Sequence, residues 1–224
     1  MATLPVFDPR SVPVIGVDRH LPPLDAGAWH PAALQRRFAA DTIWTPEFRA
    51  EPKFTERTPV RAAVLIPLVM RDEMTVLLTQ RTAHLSTHSG QIAFPGGKVD
   101  ASDESVVAAA LREAQEEVGL EAQHIEVMGA LPTYTTGSAY IVTPVVALVH
   151  PGFSLTPNPG EVDDVFEVPL RFLMDPANHR RHQLEWQGLQ REWLSMPYTD
   201  ANGERFIWGA TAGMLRNFYR FLVA

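Results

Sequence analysis

The sequence predicts an α/β (α+β) fold in which a mixed β-sheet is sandwiched between helices. Three observations carry that expectation. β-rich runs recur from residue 60 to residue 208, punctuated by Gly- and Pro-containing breaks. Strong helical periodicity marks Ser105–Val118 and Thr211–Leu222. Strands that precede, separate and follow these two helices favour a sheet covered on both faces.

The elements follow in order. Residues 1–59 are rich in proline, which fixes φ and removes a donor, so they read as extended chain with one short helix near Pro31–Ala40. At 224 residues, against about 150 per domain, this segment reads as an extension packed on a single domain of residues 60–224. Val60–Val69 and Met74–Gln80 form a hairpin around Arg71-Asp72-Glu73. Pro95-Gly96-Gly97 is a break, and Ser105–Val118 is a helix ended by Gly119. Strands are expected at Ile125–Leu131, Ile141–Val149 and Val162–Val168, then a helical turn at Leu170–Met174. Glu192–Pro197 and Arg205–Trp208 read as a strand pair around Asp200-Ala201-Asn202-Gly203. The closing helix takes Thr211 as its N-cap.

Composition narrows function. Nineteen Lys and Arg against 26 Asp and Glu leave a net charge of −7, which disfavours nucleic-acid binding by a broad basic surface. The chain has no cysteine, so disulfides, zinc–thiolate sites and thiol nucleophiles are excluded. No apolar run approaches the ~18 residues of a membrane span. MATLPVFDPR lacks the marks of a secretory signal, so a cytoplasmic location without membrane association is expected.

The chemistry concentrates in Gly96-Gly97-Lys98 and Leu111-Arg112-Glu113-Ala114-Gln115-Glu116-Glu117-Val118-Gly119-Leu120. On a helix, residues 113, 116 and 117 project toward one side, where like charges repel. A solvated acidic face is the simplest reading of composition alone. The glycine pair just before, and Arg112 among the acids, point instead to hard divalent cations such as Mg²⁺ or Mn²⁺ bound by carboxylate oxygens.

This stretch resembles the Nudix box, G-x5-E-x7-R-E-U-x-E-E-x-G-U, matched here by Arg112, Glu113, Glu116, Glu117, Gly119 and Leu120. Ala114 stands at a bulky position, and six residues separate Gly97 from Glu104. Either the loop carries an insertion or Asp103 takes the upstream acid's place. The resemblance implies the Nudix fold and hydrolysis of a nucleoside diphosphate linked to another group. It further implies that Glu113, Glu116, Glu117 and the Gly97 carbonyl hold Mg²⁺ or Mn²⁺. Glu113 could alternatively help activate water, and Arg112 would pair with an acid and orient the helix.

Upstream, Leu77, Thr79, Arg81, Gly90, Phe94, Pro95, Gly96 and Gly97 are similar to the signature of the coenzyme A pyrophosphatase branch. Thr82 and Ser86 depart from it, Ser86 standing where the signature has a second arginine. The branch resemblance implies coenzyme A or acyl-CoA as substrate, with Arg81 and Lys98 as candidate phosphate contacts. The family resemblance also implies one more acid beyond the box, serving as base; Glu161, in a loop entering a strand, is the first candidate and Glu167 the second. His84 and His88 lack a third ligand for zinc, and His179-Arg180-Arg181-His182 reads as a solvated loop that could also meet a 3′-phosphate. The expected partner is a small CoA-like nucleotide, with a homodimer left open.

Overall fold

The computed structural model describes residues 7–25, 27–82, 90–186 and 188–224. Strand β1 (Val14–Val17) and helix α1 (Pro31–Ala39) precede β2 (Val60–Val69) and β3 (Thr75–Arg81). Two short strands, β4 (Ile92–Ala93) and β5 (Gly96–Lys98), lead to helix α2 (Val106–Val118). Then come β6 (Ile125–Ala130), β7 (Tyr134–Thr135), β8 (Tyr140–Val149), β9 (Val162–Pro169) and α3 (Leu170–Leu173). The chain closes with β10 (Arg180–Trp186), β11 (Leu189–Asp200), β12 (Gly203–Trp208) and α4 (Gly209–Val223).

Among the described residues β2 to β9 make a mixed sheet along the path β4-β3-β2-β8-β6, with β5 beside β2, β7 beside β8 and β9 beside β3. Its parallel pair is β2 with β8, in register from Val60↔Tyr140 to Val69↔Val149. Alternation along β2 separates two cores. Ala63, Leu65 and Val69 pack with Ala109, Ala110, Ala114 and Val118 of α2. Ala62, Ile66 and Leu68 pack with Leu34 of α1 and Leu215 and Phe218 of α4. The expected mixed sheet between helices is therefore present. No helix among the described residues is long and apolar enough to cross a membrane.

A second, antiparallel sheet, β1-β10-β11-β12, is the main departure from the sequence reading. The run 179–182 is not a solvated loop: His179 and His182 are buried, and residues 180–182 open β10. Its charges are absorbed from the N-terminal segment. Arg181 reaches Asp18 at 2.7 Å and Glu47 at 2.6 Å. Arg216 of α4 reaches Glu47 at 2.7 Å and Asp18 at 3.0 Å, and donates to His179 Nδ1 at 2.9 Å. The isolated polarity of that run gave no sign of partners 134 and 163 residues away. Thr211 is also corrected as a cap: α4 begins at Gly209, and the Thr211 hydroxyl donates to the Ile92 carbonyl at 2.9 Å. The break at Pro95 is shorter than expected, since β4 and β5 flank it.

Candidate active site

Helix α2 presents the acids because both of its ends are well defined. Ser105 caps the N-terminus, its hydroxyl accepting from Ala108 N–H at 3.0 Å. Gly119 ends the helix at φ 72°, a left-handed position suited to glycine. The carbonyls of Glu117 and Val118 accept from Asn158 and Thr156 N–H, each at 2.8 Å. The loop that leads into β9 is thereby held at the helix end, and it carries Glu161. Asn158 also donates to the Glu161 carboxylate at 3.2 Å.

The three box acids differ sharply in environment. Glu117 is only 3% exposed. One of its oxygens accepts Gly96 N–H at 3.1 Å, and the other faces Arg81 Nη1 at 3.4 Å. Glu113 is partly buried against the glycine turn, whereas Glu116 is exposed. Arg112 braces the turn to the helix: it reaches Asp103 at 2.9 Å, Glu113 and Glu116 at 3.0 Å each, and the Lys98 carbonyl at 3.0 Å. Asp103, not Glu104, is thus the acid that pairs with Arg112, and the arginine's hydrogen bonds hold Asp103 below the usual carboxylate range.

Burial pushes the Glu117 carboxyl up to about 7, with the charges of Glu113 and Glu161 adding to the effect against Gly96 N–H and Arg81. Glu113 is raised as well, first by burial, with Glu116 and Glu161 adding and Arg112 opposing. Carboxylates raised by burial and by neighbouring acids leave a demand for further positive charge. Every donor here is oxygen, which fits a hard divalent cation rather than a softer metal. Among the described residues no three acidic or imidazole side chains already converge as a cage. Arg112 holds Glu113 and Glu116, while Gly96 and Arg81 hold Glu117.

The glycine pair separates folding from chemistry. A Cβ on Gly96, at φ 159°, would lie 2.5 Å from the Ala63 carbonyl oxygen, a backbone atom that cannot swing aside. A Cβ on Gly97 would instead meet the Glu113 carboxylate at 2.5 Å, the free end of a side chain. Gly97→Ala is therefore expected to fold with stability within about 1 kcal/mol of wild type while displacing Glu113 and losing turnover. Gly96→Ala should unfold at markedly lower denaturant. Equal stability losses in urea titrations of the two variants would contradict this division.

The other expected residues are distributed as follows. Arg81 is beside Glu117. Lys98 pairs with Ala62, so alternation sends its side chain to the sheet face opposite Glu113, while its carbonyl serves Arg112. Glu167 lies away from the acids, bound to Arg71 at 2.6 Å and Thr75 at 2.5 Å. Ser86, His84 and His88 lie outside the described residues. A cleft of about 400 Å³ lined by Trp29, Phe172 and Tyr198 opens by Pro169, at the far end of β9 from Glu161. Sequence reasoning missed Asn158, for which the Pro157-Asn158-Pro159-Gly160 turn was the available signal.

Residues 59–187 match the NUDIX domain model. The Nudix hydrolase NudL of Escherichia coli O7:K1 is 44% identical over 157 residues, covering 70% of this chain and 79% of that protein. NudL of Photorhabdus laumondii is 40% identical over 164 residues, covering 73% and 86%. Among solved structures, a C. elegans Ap4A hydrolase binary complex aligns at TM-score 0.44 and 21% identity, covering 52% of this chain and 85% of that one.

Proposed function

The chain belongs to the Nudix hydrolase family, and from that membership we propose that it cleaves the pyrophosphate of coenzyme A or an acyl-CoA. The products are 3′,5′-ADP and 4′-phosphopantetheine or its acyl form. Hydrolysis of a nucleoside-diphosphate-linked small molecule follows from the family; the coenzyme as substrate is our reading. One observation carries the chemistry: Glu113 lies against Gly97, Glu117 accepts from Gly96 N–H, and the charge of Glu161 acts on both. The upstream run Leu77, Thr79, Arg81, Gly90 and Phe94–Gly97 supports the choice of substrate.

Glu113, Glu116, Glu117 and the Gly97 carbonyl would hold Mg²⁺ or Mn²⁺, and the cation supplies charge neutralisation and a more acidic water. Arg112 keeps the glycine turn and the helix in one register through Asp103 and the Lys98 carbonyl. Arg81 balances Glu117 and offers a cationic edge to a phosphate. Lys98 is a phosphate contact only for the part of a substrate that reaches the opposite face of the sheet. Glu161 takes the proton from the attacking water, held for that task by Asn158 and by Thr82 N–H on its carbonyl. A pure ligand sensor would have no use for an acid raised by burial and by its acidic neighbours.

A second reading, hydrolysis of ADP-ribose or a nucleoside triphosphate, is favoured by Ser86, which offers one hydroxyl where an arginine fork would grip phosphate. A panel of coenzyme A, acyl-CoAs, ADP-ribose and triphosphates with Mg²⁺ or Mn²⁺ separates the two. The expected result is kcat/KM for a CoA substrate at least about tenfold above the rest, a difference of ~1.4 kcal/mol. Chelation should abolish turnover. A higher value for ADP-ribose would replace the first reading by the second. Glu161→Gln is expected to lower kcat by roughly 10²–10⁴, the span of a general base. Glu167→Gln should keep turnover near wild type, because Arg71 and Thr75 occupy that carboxylate. The reverse ranking would move the base from Glu161 to Glu167.

A further inference from the structure

Strands β3 and β9 hold a regular antiparallel register from Thr75↔Pro169 to Gln80↔Asp164 and then slip, so that Arg81 pairs with Val162. Asp163 is the extra residue. Packing shows the same change of phase. Val165 belongs to the core under α2, and so does Val162, three residues earlier. In an unbroken strand, residues three apart face opposite sides. A bulge of this kind re-aims the side chains beyond it.

The side chains re-aimed here matter to the site. Beyond the slip, Arg81 N–H donates to the Gln91 carbonyl and Thr82 N–H to the Glu161 carbonyl, both at 3.0 Å. The Arg81 guanidinium then meets Glu117 at 3.4 Å. Before the slip, the cross-strand pair Gln80 and Asp164 is gripped by one side chain from the second sheet. Arg205 of β12 donates through Nη1 to Gln80 at 3.2 Å and reaches Asp164 through Nη2 at 2.7 Å. Its Nε donates to Asp200 at 2.8 Å, and its guanidinium lies 4.3 Å above the Phe166 ring. The residue is 7% exposed. It stands outside the stretch 59–187 that matches the family model.

We propose that Arg205 is a positioning residue: it stitches the β3–β9 bulge shut and thereby fixes Glu161, whose carbonyl Thr82 N–H holds, relative to Glu117. The planar fork suits the role because it spans two strands at once, with a third contact anchoring it to its own hairpin. The inference rests on the reading that Glu161 is the base.

The test uses Arg205→Lys and Gln80→Leu as well as Arg205→Ala, so that a folding failure of the last leaves the question answerable. Lysine keeps the charge and loses the fork. Each folded variant is expected to lower kcat by about tenfold or more while KM stays within about twofold. In hydrogen exchange, the amides of Arg81 and Thr82 should exchange at least about tenfold faster, with Leu77 and Leu78 unchanged. Combined with Glu161→Gln, Arg205→Lys should cost little more than Glu161→Gln alone, because both act through one group. Wild-type kcat in Arg205→Lys and Gln80→Leu, or full multiplication of the losses in the double variant, overturns the proposal. If Glu161→Gln is itself fully active, the base assignment fails instead. The stitch is then judged by exchange at residues 81 and 82, and unchanged exchange there overturns it.

Discussion

Glu117→Gln is expected to lose on the order of 10³ in turnover, about 4 kcal/mol of transition-state stabilisation, and yet to be more stable than the wild type in the absence of divalent cation. Both effects come from one carboxylate, 3% exposed and raised to about 7 by burial and by Glu113 and Glu161. The sign follows from proton linkage. As pH rises, the unfolded chain gives up this proton near 4.5, while the folded chain keeps it to about 7. Stability is therefore full below 4.5 and falls as pH rises through 7, by up to about 3 kcal/mol. Glutamine cannot ionise, so the variant escapes this loss, apart from the lost contact with Arg81. Added Mg²⁺ should raise the melting temperature of the wild type and not of the variant. Thermal melts at pH 8, with chelator and with Mg²⁺, measure this directly. A variant less stable than wild type in chelator would contradict the electrostatic account.

The second large effect is expected far from the acids. Arg216 is 1% exposed, hydrogen-bonds Glu47 and His179, and lies 3.0 Å from Asp18 as an ion pair. Arg216→Met keeps much of the volume and removes one of the two cations, leaving the carboxylates of Asp18 and Glu47 to share Arg181 alone. Breaking such a pair costs about 3–5 kcal/mol, or roughly 10 °C for a chain of this size. An arginine only donates, so His179 Nδ1 accepts and its Nε2–H donates to the Leu173 carbonyl at 2.7 Å. Burial, with Arg216 adding, lowers this imidazole to about 4 against a hydrogen bond to Leu173. The unfolded chain takes up the proton near 6.5 and the folded chain near 4. Stability is therefore full above 6.5 and lost as pH falls toward 4. This slope opposes that of Glu117 over nearly the same window. His179→Gln should reveal stability that declines from pH 4.5 to 7, and Glu117→Gln stability that climbs from 4 to 6.5. Parallel pH profiles for the two variants, by denaturant titration without metal, would falsify the assignment of these two groups.

The sequence by itself determined the elements whose signals are local. The β-rich apolar run Val60–Val69 reports a strand, and that strand splits its side chains between two cores. Ser105, the apolar spacing of α2 and Gly119 mark a helix at both ends, and the spacing of Glu113, Glu116 and Glu117 sets three carboxylates toward one side of it. The short strands β4 and β5 were not legible, because two or three residues carry no period; they pair through backbone groups that any sequence has. Only the tertiary structure decided which acids are buried, since residues 116 and 117 look alike in sequence. Glu117 is covered because Gly96 and the loop at Asn158 close over it, and Glu116 is left exposed. Likewise, only the fold could choose Asp103 over Glu104 as the partner of Arg112, or make the charged run at 179–182 the half-buried start of a strand by supplying Asp18 and Glu47. Helix periods and caps depend on neighbours within four residues, whereas burial, ion pairing and the bulge at Asp163 depend on what distant segments bring into contact.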